Sequence, residues 1–564
     1  MLMTDRFQMP REVKPWKGIK NALAYGYVCP MLMQDHPLME VMIPHRYWPM
    51  DENCQYLNIW TQSLDPEAKK PVMVWLHGGG FFAGSSIEQV AYEGDHLSEY
   101  GDVVVVSLNH RLNILGYLDL SAYGEKYYNS ANVGNADMVA ALHWIQDNIA
   151  GFGGDPGNVT LFGQSGGGMK VYSLMNTPAA EGLFHKGIIQ SGVIEEGKKE
   201  AEDDGTAIVE ALLTELKLES VEDLETIPYY FLAEAYNKVS PKLQEKGLYV
   251  GGEPRANSWY AGDPRRVGFT DGAKKIPVIV GSVFGEFDFK PVLENRDELT
   301  REETMKLLEK CFQEDAEEIA AEFEKAYPNN RLVDVLSLDY IFRYASKDFI
   351  AKKSVHKEAP VYSYMFNYEF PYEGGKLAWH CSEIPFVFHN IDRIPICNVP
   401  GETDRLQERI CGAWINFARY GNPSVPSLPQ WPVCEPGKEA IMIFDNICEV
   451  KDNYDHRLME LWCLHSHEAF AERHKDLLKN LPEFLFNRYR WKFDEDGKVV
   501  SAQPFDADEQ FWRVVKRNEG KDNERSDYEF CYVNSQNFFT EPWFWAPEKA
   551  GQEFLVHPSG TSLG

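Results

Sequence analysis

The sequence predicts an α/β fold in which a central, mostly parallel sheet is flanked by helices. Short apolar runs rich in β-branched residues, such as 102–107 and 276–281, have the pattern of buried strands. Stretches with helical spacing of apolar residues, such as 136–149, alternate with these runs. Strands that alternate with helices are typical of parallel sheets covered on both faces.

The bulk composition limits the classes of function. The chain has 564 residues, of which 44% are hydrophobic, and its 86 acidic and 56 basic residues give a net charge of −30. This charge argues against a nucleic-acid or anionic-membrane partner, which needs a basic surface. Ten cysteines without a C-x-x-C pair indicate neither a disulfide scaffold nor a zinc site. We therefore expect a globular protein with no metal and no cofactor.

The order of predicted elements follows from the same patterns. Buried strands are predicted at 55–60, 71–76, 102–107, 159–162, 187–191, 276–281 and 360–366. Helical spacing or helix-favouring composition is found at 136–149, 169–175, 194–247 and 293–326. No run of about 18 apolar residues is present, so no membrane span is predicted.

A nucleophile elbow is predicted where the strand 159–162 meets the helix 169–175. The residues between them include Gly163-Gln164-Ser165-Gly166-Gly167, a G-x-S-x-G motif. The glycines allow a strained turn that exposes the serine hydroxyl between strand and helix. The motif alone is common, and the alternative is a glycine-rich turn whose serine caps a helix. The flanking strand and helix favour Ser165 as a nucleophile.

A second glycine-rich loop, His77-Gly78-Gly79-Gly80, follows the buried strand 71–76. A phosphate-binding P-loop would require Gly-Lys-Ser/Thr at its end, but Phe81-Phe-Ala83 stands there. An oxyanion hole fits better, because the loop that forms it in lipases and esterases reads HGGG. We expect the donors to be the backbone N–H groups of Gly79, Gly80 and Gly166.

Acid and base candidates follow the serine in the order Ser, Asp/Glu, His that α/β-hydrolases use. Glu286 and Asp288 come just after the strand 276–281, and His380 and His389 come after the strand 360–366. Position slightly favours Glu286 and His380 but leaves both alternatives open. His110, which lies outside this order, is expected to be structural.

Several segments together resemble the type-B carboxylesterase family, and in particular its bacterial members. Residues 152–167 resemble the serine signature of the family, and 52–60 resemble its second signature apart from Asn53 and Gln55. Further blocks occur in family order at 77–81, 109–118, 281–286, 380–388 and 414–423. The resemblance covers about residues 5 to 463. It implies an α/β-hydrolase fold with a Ser165–Glu286–His380 triad, and so selects between the acid and base alternatives.

The resemblance also defines where the chain departs from the family. It implies a carboxylesterase domain at 1–463 that lacks the first strands of the family. An aromatic-rich extension at 464–564 is expected to pack on this domain. Gln164 stands where cholinesterases carry Glu, which counts against choline esters. Cys54 matches a family cysteine with Cys29 as its natural partner, a disulfide expected only in an oxidising compartment.

The leading prediction is a cofactor-independent serine carboxylesterase that acts on a small or medium ester. One alternative is an esterase specialised for feruloyl or other hydroxycinnamoyl esters. Another, from a different class, is a catalytically silent interaction protein like some cholinesterase relatives, although this chain keeps the serine, acid, histidine and glycine loop. The N-terminus lacks the apolar region of a signal peptide. We expect a cytoplasmic protein if the chain is complete, and secretion stays open if its N-terminus is truncated.

Overall fold

The chain divides into two units, one at 1–32 and 39–466 and the other at 33–38 and 467–564. A computed structural model describes the residues 5–13, 16–32, 45–194, 203–244, 246–286, 296–339, 341–372 and 375–463, and short strands between 484 and 563. The candidate site lies in the first unit.

Nine strands of the described part of the first unit form one sheet. They are β1 (Leu57–Trp60), β2 (Lys70–Leu76), β3 (Val104–Leu108), β4 (Gly154–Gln164), β5 (Lys186–Gln190), β6 (Val278–Val283), β7 (Val361–Phe366), β8 (Ala440–Phe444) and β9 (Glu449–Asp452). Their order across the sheet is β1-β3-β2-β4-β5-β6-β7-β8-β9. All neighbours from β3 to β8 are parallel, and only the outermost pairs β1–β3 and β8–β9 are antiparallel. This confirms the prediction of a mostly parallel sheet.

Helices cover the sheet and connect its strands. Those of the described chain are α1 (Asp95–Gly101), α2 (Asn113–Tyr117), α3 (Val133–Asn148), α4 (Gly166–Met175), α5 (Thr206–Leu216), α6 (Tyr229–Gln244), α7 (Pro264–Val267), α8 (Asp271–Lys274), α9 (Arg301–Phe312), α10 (Ala316–Ala326), α11 (Ile341–Ser354), α12 (Ile384–Val387), α13 (Thr403–Tyr420) and α14 (His456–Cys463). Every residue of β2, β3 and β5–β8 is buried, as expected for strands covered on both faces. A core cluster joins apolar residues of β2–β7 to those of α3, α4 and α11.

The register brings the ends of β2 and β4 to the same edge of the sheet. Leu76 lies opposite Gly163, so the two glycine-rich loops leave adjacent strands side by side. Strands β5 and β6 end at the same edge, because Gln190 pairs with both Gln164 and Gly281. In open α/β sheets this carboxyl edge is where ligand chemistry is placed.

Some predicted elements differ in extent from those observed. Within the described part of the predicted helical stretch 293–326, residues 296–326 contain two α-helices. The first begins only at Arg301, because Thr300 and Glu303 form a capping box there. The predicted strand 159–162 lies within the longer β4, which extends to Gln164. Strands β8 and β9 were not predicted, since the short apolar run 440–444 has no periodicity that separates a strand from a helix.

The described residues of the second unit are short strands. They are β10 (Phe484–Phe486), β11 (Tyr489–Phe493), β12 (Val499–Pro504), β13 (Trp512–Lys516), β14 (Tyr528–Tyr532), β15 (Phe544–Trp545), β16 (Leu555–Val556) and β17 (Ser562–Leu563). They pair antiparallel in three small sheets, β10-β11-β12, β13-β14 and β15-β16-β17. The division at 463/464 and the packing of the extension on the main domain stay predictions. Across the described ranges of both units, no helix has the length and apolar character needed to cross a membrane.

Candidate active site

Ser165 lies on the sharp turn between β4 and α4, as the sequence predicted. Its backbone has φ 57° and ψ −127°, a strained conformation for a residue with a side chain. It is partly exposed, whereas the neighbouring Gln164 and Gly166 are buried. The turn therefore presents the serine at the carboxyl edge of the sheet, which is the geometry of a nucleophile elbow.

The loop 78–80 is packed directly against this turn. A Cβ placed on Gly166 would collide with the backbone of Gly80, and one on Gly78 would lie 3.5 Å from the Cβ of Ser165. Gly79 and Gly80 have φ values of 84° and 60°, which favour glycine. The N–H of Gly166 opens α4 and therefore has no acceptor within the helix. The structure thus brings the three predicted oxyanion-hole residues together beside Ser165.

Glu286 and His380 are joined by two hydrogen bonds. The Nδ1 of His380 donates to Oε2 of Glu286, and the backbone N–H of His380 donates to the carbonyl of Glu286 at 2.5 Å. Both side chains are buried. Because a carboxylate only accepts, the proton of a neutral His380 resides on Nδ1 and leaves Nε2 as the basic nitrogen.

The second oxygen of Glu286 is held by two donors. Oε1 accepts from the hydroxyl of Ser191 at 2.7 Å and from the N–H of Val283 at 2.9 Å. Burial raises the pKa of Glu286, and these two hydrogen bonds oppose that rise because they stabilise the carboxylate. Ser191 follows β5 directly, and the sequence analysis did not identify it. The only available signal was its position at a strand end.

Gln164 links the elbow to the histidine loop. Its side-chain amide nitrogen lies 3.3 Å and 3.4 Å from the two ring nitrogens of His380. The thiol of Cys381 donates to its Oε1 at 2.9 Å. A neutral amide, not a carboxylate, therefore borders the imidazole of His380.

The first turn of α11 contacts the imidazole of His380. The ring of Phe342 stacks on the imidazole of His380, with ring centroids 5.2 Å apart and planes 14° apart. Asp339 starts this helix, since its carboxylate accepts from the N–H groups of Ile341 at 2.9 Å and Arg343 at 2.7 Å. Phe342 and Asp339 were both missed by sequence reasoning.

Arg343 anchors the same turn to the end of the first unit. Its buried guanidinium forms paired hydrogen bonds of 2.7 to 3.0 Å with Asp455 and Glu439. These two charge pairs are almost fully buried. Arg343 lowers the pKa of Glu439 below its ordinary value despite the opposing effect of burial. The helix turn that contacts His380 through Phe342 is therefore held in place by the ion pairs of Arg343 with Asp455 and Glu439.

A further buried carboxylate, Glu383, lies three residues after His380. It accepts a hydrogen bond of 3.1 Å from the side chain of Gln190, whose Oε1 accepts from the indole of Trp414 at 3.1 Å. Burial, and then the nearby charge of Glu286, raise the pKa of Glu383 to about 7. The sequence placed Glu383 in a family block but gave it no function.

Four non-glycine residues of these loops have strained backbone. Ser165, Ser191, Glu286 and Cys381 all have positive φ, at 57°, 42°, 28° and 75°, although none is glycine. Each such conformation costs on the order of 1 to 3 kcal/mol and persists only where surrounding contacts enforce it. Contacts at this edge of the sheet therefore hold four residues in conformations that they rarely adopt.

The alternative base is placed elsewhere. His389 stacks on Tyr100 of α1 at 4.2 Å, and its ring contacts the amide of Gln407 at 3.4 Å. The structure therefore brings His380, not His389, to Glu286. The alternative acid Asp288 lies outside the described residues. His110 is buried and stacks on His77.

Cys29 and Cys54 are buried next to each other as free thiols. A hydrogen bond with Cys29, together with burial, raises the pKa of Cys54. The pair is therefore close enough for the thiols to interact. Elsewhere in the described chain, no cluster of three or more His, Cys, Asp or Glu side chains is arranged to hold a metal ion.

The sheet order, the elbow and the acid–histidine pair define an α/β-hydrolase. The chain belongs to the carboxylesterase family, because the profile of that family matches residues 3–462. Para-nitrobenzyl esterase of Bacillus subtilis (strain 168) is 31% identical over an alignment of 457 residues, which covers 79% of this chain and 89% of that protein. Phenmedipham hydrolase of Pseudarthrobacter oxydans is 32% identical, over 78% of this chain and 88% of the relative.

Solved structures give the same answer. An esterase from the anaerobe Clostridium hathewayi, described as able to hydrolyse aliphatic aromatic polyesters, has a TM-score of 0.80 at 52% identity. The match covers 82% of this chain and 93% of that one. A Geobacillus stearothermophilus carboxylesterase has a TM-score of 0.62 at 30% identity, covering 81% and 92%. These relationships confirm the predicted family, its fold and the assignment as a carboxylic-ester hydrolase.

Proposed function

We propose that the protein hydrolyses carboxylic esters through an acyl-enzyme formed on Ser165. His380 is the general base and acid, and Glu286 is the carboxylate that orients it. The backbone N–H groups of Gly79, Gly80 and Gly166 bind the oxyanion. The observation that carries this proposal is the buried hydrogen bond from His380 Nδ1 to Glu286, at the same sheet edge as the strained Ser165 turn.

The reaction proceeds in two balanced halves. The Oγ of Ser165 attacks the acyl carbon while its proton moves to Nε2 of His380, and the carbonyl oxygen becomes an oxyanion. Collapse of this intermediate breaks the ester C–O bond, and His380 gives its proton to the leaving alcohol. Water then attacks the acyl-enzyme by the same route, which releases the acid and restores Ser165. Glu286 stabilises the imidazolium that forms in each half.

Labelling with a serine-directed fluorophosphonate tests the nucleophile. We expect one label per chain, located on Ser165 by peptide mapping, and no label on Ser165→Ala. The substituted protein should also lose hydrolysis of p-nitrophenyl esters by several orders of magnitude. Folded wild-type protein that is not labelled would revive the silent interaction protein as an alternative. Full activity of Ser165→Ala would show that another residue is the nucleophile.

The role of His380 predicts a pH dependence. A general base must be neutral, so activity should fall as the pH drops below about 6 to 7, where an imidazole takes up a proton. The measurement is kcat/KM for a p-nitrophenyl ester at constant ionic strength from pH 5 to 9. A flat acid limb would contradict the assignment of His380 as base.

The substrate class is proposed from the relatives. The 52% identity to an esterase described as able to hydrolyse aliphatic aromatic polyesters favours esters that combine aliphatic and aromatic groups. A panel of short aliphatic, long aliphatic, terephthalate and feruloyl esters separates this class from general carboxylesterase activity. Preference for feruloyl over terephthalate esters would support the hydroxycinnamoyl alternative instead.

The neighbouring thiols of Cys29 and Cys54 are proposed to form a disulfide under oxidising conditions. The bond would close a loop of about 25 residues and stabilise the fold by about 3 kcal/mol. Thiol counting and intact mass before and after mild oxidation test this, with Cys54→Ser as the control. Retention of both thiols after oxidation of folded protein would exclude the bond.

A further inference from the structure

Lys170 is a buried lysine directly beneath the glycine loop. It lies on α4, five residues after Ser165, and its side chain is completely buried. Its Nζ donates a hydrogen bond of 2.8 Å to the backbone carbonyl of His77. A lysine is rarely buried without a partner of opposite charge, because burial disfavours its charged form. A position this costly calls for a specific reason.

The groups around Lys170 come from two further segments. His77 directly follows β2, and His110 lies just after β3. Their rings stack with centroids 5.3 Å apart. The Nδ1 of each donates to a backbone carbonyl, that of Gly78 and that of Arg111, both at 2.9 Å. In the neutral form of each ring, Nε2 is therefore unprotonated. Both Nε2 atoms are buried, and neither has a hydrogen-bond partner among the described residues.

The charge of Glu88 acts on Lys170. Burial lowers the pKa of Lys170 to about 7, and the charge of Glu88 partly opposes this. Burial and the nearby charge of Lys170 in turn lower the pKa of both His77 and His110. The histidines are thus neutral at neutral pH. The amine and the ammonium form of Lys170 both carry N–H groups, so the hydrogen bond to His77 does not require one charge state.

The accepting carbonyl controls the loop that follows it. The carbonyl of His77 belongs to the peptide that joins His77 to Gly78, the first residue of the glycine loop. Glycines leave this loop free to adopt other backbone conformations, so its orientation must be set from outside. Lys170 is on the same helix whose first N–H, that of Gly166, is one of the proposed donors. One helix therefore supplies one oxyanion donor and holds the loop that carries the other two.

We propose that Lys170 is a positioning residue, whose hydrogen bond to the His77 carbonyl fixes the glycine loop in the orientation that receives the oxyanion. This inference rests on the proposed function. It is distinct from that function, because Ser165 can still act as nucleophile when the loop is misplaced. The role predicts a loss of transition-state binding and not of ground-state binding.

The test compares Lys170→Met with wild type. Methionine has nearly the same length and no donor. We expect kcat/KM for p-nitrophenyl butyrate to fall about 10- to 100-fold, the scale of a displaced oxyanion donor. The Ki of a trifluoromethyl ketone, whose adduct with the serine places an oxyanion in the hole, should rise by a similar factor. The Ki of the matching methyl ketone should stay within threefold of wild type.

Lys353 provides a matched control. It is also fully buried, and its Nζ donates to the carbonyl of Lys274 at 2.7 Å, near the far end of α11 from Phe342. Lys353→Met therefore removes the same kind of hydrogen bond away from the site. It should leave kcat/KM and both Ki values within threefold of wild type.

Three results would contradict either the role of Lys170 or the proposed function. Folded Lys170→Met with wild-type kcat/KM would overturn the inference, and so would equal losses in the two lysine variants. If Lys170→Met does not fold, Lys170→Gln serves with Lys353→Gln as its control, because a side chain one atom shorter cannot reach the carbonyl. Absence of fluorophosphonate label on wild-type Ser165 would instead overturn the proposed function itself.

Discussion

Replacement of Ser191 by alanine tests whether the support of Glu286 matters for catalysis. The Ser191 hydroxyl donates to Oε1 of Glu286 at 2.7 Å, and both side chains are buried. A hydrogen bond to a charged acceptor contributes about 1.5 to 3 kcal/mol. The hydrogen bond holds the Glu286 carboxylate where it stabilises the imidazolium of His380, a cation that forms only on the way to the transition state.

The size of the effect follows from these values. A loss of 1.5 to 3 kcal/mol corresponds to a decrease of about 10- to 150-fold in kcat/KM. The N–H of Val283 still donates to the same oxygen at 2.9 Å, so we expect the lower end, about tenfold. The assay is kcat/KM for p-nitrophenyl butyrate, with fluorophosphonate titration to correct for the fraction of active protein.

Ser282→Ala is the matched control for this experiment. Ser282 is buried on β6, and its hydroxyl has no hydrogen-bond partner among the described residues. Its removal leaves no group unsatisfied, so activity should stay within twofold of wild type. If Ser191→Ala also stays within twofold, or if both variants lose activity equally, the reasoning about Glu286 is refuted.

Three further predictions concern packing and charge. Gly166→Ala places a Cβ against the backbone of the glycine loop and should lower kcat/KM by more than about a hundredfold, whereas Gly151→Ala, which has open space, should keep wild-type rates. Unfolded chains keep the Lys170 proton up to about pH 10.5, but the folded protein releases it at about 7, so stability rises with pH between these values. From about pH 7 to 9, denaturant titration should show wild type gaining about 2 kcal/mol relative to Lys170→Met, and a constant difference would contradict the pKa. Arg343→Met removes the buried cation shared by Asp455 and Glu439, although Glu439 keeps its contact with His456. This change should cost about 3 to 5 kcal/mol in the free energy of unfolding, and an unchanged melting temperature would refute it.

The sequence predicted the parts of the site that are defined locally. The turn at Ser165 and the loop at Gly79 and Gly80 need particular residues in an unbroken order, directly after apolar strands. Such order is visible without any knowledge of contacts. The acid and the base were less well defined by sequence. Chain order only ranked Glu286 above Asp288 and His380 above His389, and the family resemblance was needed to choose between them.

Residues that act through long-range contacts were not predictable in this way. Ser191, Phe342 and Lys170 reach the site through strand order and helix packing, and their neighbours along the chain carry no distinguishing pattern. The contact of Phe342 with His380 spans 38 residues, and that of Lys170 with His77 spans 93. The short strands β8 and β9 were missed for a related reason, since only their pairing with β7 defines them.

The first turn of α11 connects the histidine of the site to the end of the first unit through two neighbouring side chains. Phe342 stacks on the imidazole of His380, and Arg343 forms an ion pair with Asp455, the residue just before α14. A chain cut shortly before Asp455 would keep every proposed reacting group, yet Arg343 would lose its ion pair with Asp455, and the turn that carries Phe342 would be less firmly held. Protein engineers who shorten this enzyme should therefore expect the lower limit of its catalytic domain to be set by Asp455, well beyond the last residue of the proposed triad.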